Sequence, residues 1–161
     1  MAGADHTVYM QLALDEARLA AAAGEVPIGA VLVVEDAVVA QAHNRREVWQ
    51  DPTAHAELIA IREASAQLRT WRLVGATLYV TMEPCAMCIG AAILARVERV
   101  VFGVWDPKGG ACGSVLNIPQ EKRLNHRIDV IGGLLEQESR ELLQGFFKNL
   151  RAKTDSRNGI T

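Results

Sequence analysis

Cysteine is scarce in this 161-residue chain: there are three, an odd number. A disulfide-stapled scaffold needs a denser, even set, so the count predicts a reducing, cytoplasmic setting. Neither sign of charge is in excess. Lys and Arg number 17 and Asp and Glu 19, for a formal net charge of -2. This excludes a protein that coats nucleic acid through bulk charge, and leaves a local basic patch to be judged from its distribution. Long hydrophobic runs are missing too. The longest, around Ala86 to Ala95, falls far short of the roughly 20 residues of a membrane span. The N-terminal stretch Met1 to His6 has no basic region, and the apolar segment after it is broken by Asp15, Glu16 and Arg18, which argues against a secretory signal. Heptads, internal repeats and lipidation motifs do not occur.

What remains is an ordinary globular composition, 50% hydrophobic and 22% charged. The length suits one domain, which we place over residues 1–153, followed by a polar, flexible tail over 154–161. The apolar spacing predicts a helix over 6–23 with Val8, Leu12 and Leu19 on its buried face, stopped by Gly24. A hairpin follows, Ala30–Val34 and Val38–Ala40 around the turn Glu35-Asp36. A second helix over 54–68 is capped by Asp51 or Thr53 and packs through Leu58, Ile61 and Leu68. Strands are expected at 76–81, 97–102 and 128–131 and a short buried helix at 86–95. Residues 106–126 read as loop, and residues 136–151 as a final amphipathic helix carrying Leu142, Leu143, Phe146, Phe147 and Leu150. Alternating helices and strands with one early hairpin predict an α/β fold: a three-layer α/β/α sandwich around a mixed, roughly five-stranded sheet.

Two segments carry the chemistry: His55-Ala56-Glu57 and Pro84-Cys85-Ala86-Met87-Cys88, each at the start of an expected helix. A Cys-x-x-Cys pair across a first helical turn can aim two sulfurs at one point, and His55 can aim a ring nitrogen at the same point if the two helix starts face each other. One imidazole and two thiolates match zinc's preference for tetrahedral N/S ligation. Three protein ligands leave a fourth position open, as in catalytic zinc sites, where the metal lowers the pKa of a water toward ~7. Glu57, two residues past His55, is placed to touch that water without binding the metal. Taken alone, Cys85 and Cys88 also fit a redox pair, and Cys112 or His126 could close a structural zinc site as a fourth ligand.

His-x-Glu followed about thirty residues later by Pro-Cys-x-x-Cys is the signature of zinc-dependent nucleobase deaminases. In these residues the chain resembles the cytidine deaminase-like superfamily and, within it, the tRNA-specific adenosine deaminases of bacteria. The resemblance spans about residues 6–151. It takes in Glu25-Val26-Pro27-Ile28-Gly29, Asn44-Arg45, Val101-Phe102-Gly103, Asp106-Pro107-Lys108, Asn125-His126 and Phe146-Phe147. It implies one Zn2+ per subunit on His55, Cys85 and Cys88, and no organic cofactor. It implies that hydroxide generated at the metal adds to C6 of adenosine, with Glu57 shuttling the proton, and that ammonia leaves to give inosine. The target implied is the wobble adenosine in the anticodon stem-loop of a tRNA, an arginine tRNA in the family, and the assembly implied is a homodimer.

The same resemblance assigns further residues. Asn44 hydrogen-bonds the purine edge; a turn-stabilising role is the plain alternative. Val26, Pro27 and Ile28, with Ala56 and Pro84, wall the flipped base, against simple loop packing. Asp106 and Lys108 contact flanking nucleotides, Asp106 by accepting from a ribose 2′-OH. Asn125, His126, Phe146, Phe147, Lys148 and Arg151 complete the expected RNA face. Lys148, Arg151, Lys153 and Arg157 against Asp155 make this end locally cationic, although helix capping explains some of that charge. Trp105 and Cys112 depart from the family pattern and take no role from it. A deaminase of a free base or nucleoside (guanine, cytosine or cytidine) shares every zinc-site residue and is the enzymatic alternative. A non-catalytic, zinc-stabilised RNA-binding module is the other.

Overall fold

The computed structural model describes residues 5–159. Its elements run α1 (His6–Ala22), β1 (Gly29–Val34), β2 (Ala37–His43), α2 (Arg46–Trp49), α3 (Ala56–Leu68), β3 (Ala76–Met82), α4 (Ala86–Leu94), β4 (Arg99–Val104), a 3-10 turn (Ile118–Gln120), β5 (Asp129–Ile131) and α5 (Glu136–Asn158). The five strands form one mixed sheet in the order β2-β1-β3-β4-β5. β1 is antiparallel to β2 and β3, while β3, β4 and β5 are parallel.

Strand alternation builds the two outer layers. Ala30 and Leu32, Leu78 and Val80, Val100 and Phe102 face α3 and α4, with Ile59, Ala60, Ile89 and Ala92 in the same core. Val31, Val33, Tyr79 and Val101 point the other way, onto α1. The hairpin turn expected at Glu35-Asp36 forms with both residues left-handed, φ 50° and 61°, the twist that a two-residue hairpin loop requires.

Three local expectations are corrected. On α1 the buried face is Met10, Ala13, Leu14, Ala17 and Ala20, whereas Val8 and Leu19 are 54% and 55% exposed. The reason is close approach. A Cβ on Gly29 would overlap the Ala13 carbonyl and the Ala17 amide, so the alanine stripe faces the sheet and bulkier side chains turn outward. On α3, neither Asp51 nor Thr53 caps the helix. His55 is the N-cap residue, and Asp51 Oδ1 instead accepts from the Thr53 amide at 2.8 Å and its hydroxyl at 2.7 Å. The helix buries Ile59 and Ile61 among alanines and leaves Leu68 exposed.

The third correction concerns α5, which continues past Arg151 to Asn158. Residues 154–158 are therefore helical, and residues 160–161 lie outside the described residues. Only Ser139 of this helix is buried. Its first turns cross β4 where Gly103 leaves room for Ser139, and farther on Leu142, Phe146 and Leu150 line an open groove beside Ala21 of α1 and Gly24 just after it.

The strand directions gather the functional segments. The ends of β2, β3 and β4 and the start of β1 share one edge of the sheet, since Gly29 pairs with His43 and Met82 with Val104. Ile28 enters the sheet at that edge, and Asn44, Glu83 and Asp106 leave it there.

Candidate active site

α3 and α4 begin at this edge, and each begins with a ligand-type residue. His55 and Cys85 are the two N-cap residues, both extended (ψ 147° and 174°), and Cys88 lies in the first turn of α4. Pro84 precedes Cys85 and fixes the chain where strand passes into helix. His55 Nδ1 lies 3.6 Å from Cys85 Sγ and 3.6 Å from Cys88 Sγ. The three ligand atoms all fall within 4.8 Å of one another.

A tetrahedral zinc centre with ordinary Zn–N and Zn–S lengths sets nitrogen and sulfur roughly 3.6 Å apart, so the residues fit the ion. Among the described residues no fourth His, Cys, Asp or Glu joins the group. His126 is taken up elsewhere, its Nε2 2.8 Å from the Val97 carbonyl. Cys112 is buried but stands outside the cluster.

The electrostatics suit metal binding. The Cys85 thiol is pulled down to about 3, first by its hydrogen bond with Cys88 and further by His55, at a helix N-terminus that itself favours thiolate. Cys88 is pushed up, by sharing that hydrogen bond with Cys85 and by burial. His55 is raised, chiefly by its hydrogen bond to Cys85. Glu57 is 4% exposed. Burial lifts its carboxyl above the usual range, while Cys88 and His55 pull the other way. It stands outside the ligand cluster yet lines the same cavity.

That cavity, of about 70 Å³, is lined by Ile28, His55, Glu57, Met82, Glu83, Cys85 and Asp106. Ile28 and Asp106 thus lie in the same cavity as the cluster. Asp106 also closes a turn, its Oδ1 accepting from the Lys108 amide at 3.0 Å. Asn44 is buried beside the site, and its backbone N–H donates to the Ile28 carbonyl at 3.1 Å. Pro27, Ala56 and Pro84 are buried and Val26 half-buried, all next to lining residues without lining the cavity themselves.

The expected RNA face divides. Lys108, Phe147 and Arg151, with Leu143 and Gln144, line one groove. Phe146 turns away into the groove against α1, beside Lys153. Lys148 is exposed on α5. Capping does not account for Lys148 or Arg151, because the helix ends at Asn158 and only Arg157 lies in its last turn. Asn125 and His126 are not brought to the cavity. His126 sits against the Val97 carbonyl, just before β4 begins, at the opposite edge of the sheet, and Asn125 precedes it in the chain.

Sequence reasoning gave no role to two buried carboxylates. Glu25 accepts from the amides of Glu47 and Val48 at 2.9 and 3.0 Å, tying down α2. Glu83 does the same for the loop after β4. The available signal was an acidic residue at the end of an apolar segment, directly before the motif residues Val26-Pro27 and Pro84-Cys85.

Comparison with known proteins agrees with this geometry. The profile of the MafB19-like deaminases matches residues 4–151. A tRNA-specific adenosine deaminase of Bacillus subtilis is 55% identical over 146 residues, 91% of each chain. A structure from a study of A-to-I editing by tRNA:A34 deaminases at the wobble position of transfer RNA superposes with a TM-score of 0.82 at 49% identity, covering 85% of this chain and 99% of that one. A guanine deaminase from Nitrosomonas europaea shares the fold at 27% identity and a TM-score of 0.73, over 87% and 83% of the two chains. A helix-start His-Cys-Cys cluster with a buried glutamate beside it, on a sheet of this order, together with relatives of this identity, shows that the chain belongs to the deaminase family, in the branch of the tRNA-specific adenosine deaminases.

Proposed function

We propose that this enzyme converts adenosine to inosine hydrolytically at the wobble (first anticodon) position of a tRNA, an arginine tRNA as in the family it resembles. The observation that carries the reading is Glu57: a buried carboxyl in the cavity of three converging ligands, and not one of them. A structural metal site has no use for such a group.

His55, Cys85 and Cys88 hold one zinc ion. When bound, the ion supplies the Lewis acidity that makes a water nucleophilic near neutral pH. Glu57 takes a proton from that water and delivers it to the purine ring nitrogen; it then takes the proton of the new C6 hydroxyl and passes it to the amino group, which departs as ammonia. Its raised pKa suits both accepting and returning a proton. The side-chain amide of Asn44 reads the purine edge. Ile28 packs on the flipped base, with Val26, Pro27, Ala56 and Pro84 backing that wall. Asp106 accepts from a ribose 2′-OH, a contact DNA cannot make. The groove of Lys108, Phe147 and Arg151 takes flanking nucleotides by charge and stacking. A target in a single-stranded loop keeps the cost of extruding the base low.

The partner of each chain is a second copy. Leu58, Met87, Ala91, Ile93, Leu94, Ile118 and Leu124 form an apolar surface along α4, and a symmetric pairing there buries it. Asn125 and His126 adjoin Leu124, so in the pair they belong to the seam and reach RNA from there. No helix among the described residues is long and apolar enough to cross a membrane, and the reading places the enzyme in the cytoplasm with its tRNA.

The likeness to guanine deaminase favours a second reading, in which a free base is the substrate. The decisive experiment incubates the zinc-loaded enzyme with an arginine tRNA bearing adenosine at the wobble position and sequences for inosine, with free adenosine, guanine, cytosine and cytidine in parallel. Inosine at that position alone is expected. Turnover of a free base without tRNA editing would establish the second reading, and tRNA binding without any turnover would indicate a binding module.

A further inference from the structure

Residues 106–114 are a poor candidate for a rigid loop. They contain three glycines, at 109, 110 and 113, each with more conformational freedom to lose than any other residue type. One side chain nonetheless collects the segment at both ends. Glu83 Oε1 accepts from the Asp106 amide at 3.0 Å and from the Ser114 hydroxyl, and Oε2 accepts from the amides of Cys112 and Ser114 at 3.0 and 3.1 Å. Glu83 is 3% exposed, and both of its carboxyl oxygens are taken up by the loop.

Gly110 supports this reading from the other side. A Cβ there would overlap the Glu83 carboxyl carbon and both oxygens, so the loop has been left bare where the carboxyl fits. The clamp joins two functional parts. Glu83 immediately precedes Pro84-Cys85, whose Pro84 carbonyl accepts from the Ala111 amide at 2.9 Å. The first residue it holds, Asp106, lines the cavity, and Lys108, two residues on, lines the neighbouring cationic groove.

We infer that Glu83 is a positioning residue that fixes the 106–114 loop to the metal-binding turn, so that Asp106 and Lys108 are presented to the nucleotides flanking the target base. The inference rests on the tRNA reading given above. Interactions with those remote nucleotides hold the substrate in place without touching the reacting atoms, so their loss appears mainly in KM.

The test compares the parent, Glu83→Gln and Gly110→Ala, all zinc-loaded. Gln keeps the shape and turns an N–H2 toward backbone donors; Ala at 110 leaves the carboxyl intact and displaces it. Both variants should raise KM for the tRNA about tenfold and lower kcat by less than about threefold. Hydrogen exchange at the amides of Asp106, Cys112 and Ser114 should quicken, and metal content should stay at one per chain. In an Asp106→Ala background Glu83→Gln should add little, because it acts through the same residue. A fall in kcat with KM unchanged would overturn the inference by placing Glu83 at the reacting atoms, and unaltered exchange would overturn it outright. If Glu83→Gln does not fold, Gly110→Ala and Ser114→Ala carry the same measurements. The exchange readout needs no substrate, so failure of the clamp is distinguishable from failure of the tRNA reading, which shows as a parent that makes no inosine.

Discussion

Glu57 is the side chain on which the chemistry turns, and its position separates two possible failures. Glu57→Gln should abolish turnover, by about 10²–10⁴-fold for loss of a proton-transfer group. Zinc content and tRNA affinity should stay at parent levels, because the residue lies outside the ligand cluster. Metal analysis and tRNA binding on the purified variant check this, and a variant that loses its zinc would make Glu57 a ligand. The convergence of His55, Cys85 and Cys88, and the place of Glu57 in the cavity beside them, were legible in the sequence, because metal chemistry restricts both residue type and spacing. Glu83 and Glu25 were not. Their role depends on which backbone amides come within reach at sequence separations of 22 to 31, and nothing local in the sequence encodes that.

Among the elements, α1 and α5 carry the tests. α1 covers Tyr79, whose hydroxyl lies 2.7 Å from His6 Nδ1 and whose pKa is pushed up to about 12, chiefly by burial. An unfolded tyrosine releases its proton near 10. Between about pH 10 and 12 the unfolded chain therefore holds fewer protons than the native one, and stability falls as pH rises through that window. Denaturant titrations should reveal this slope in the parent and a flatter one in Tyr79→Phe. On α5, Arg151 shares a groove with Lys108. Removing both charges should weaken tRNA binding and shrink its log–log salt dependence by roughly 1.4 to 1.8, at 0.7–0.9 for each phosphate contact; an unchanged slope would place the RNA elsewhere. The elements themselves were largely readable from apolar spacing, but their buried faces were not. On α1 and α3 the sheet selects alanines over Val8, Leu19 and Leu68, a choice set by how closely each helix approaches. The far end of α5 looked like a frayed tail because its residues are polar, and polar residues also make exposed helix.

For the molecule as a whole, the fold brings both helix starts and three strand ends to one edge of the sheet and leaves an apolar surface on α4. Leu94 is 71% exposed, an unusual fate for a leucine in so apolar a helix. Sedimentation at micromolar concentration should find a dimer for the parent and a monomer for Leu94→Glu, with a monomeric parent contradicting the pairing. The order of layers was legible from the alternation of helix and strand. That Ile118 and Leu124 join the apolar surface along α4 emerges only once the loop after β4 is folded back.

The central claim is that one imidazole and two thiolates hold zinc and leave its remaining position to solvent. X-ray absorption at the zinc edge on the purified, loaded protein measures this directly. The account predicts one zinc per chain with two sulfur scatterers, one imidazole and one further light atom near 2 Å. A third sulfur or a second imidazole in the inner shell, or a folded protein that binds no zinc, would contradict it.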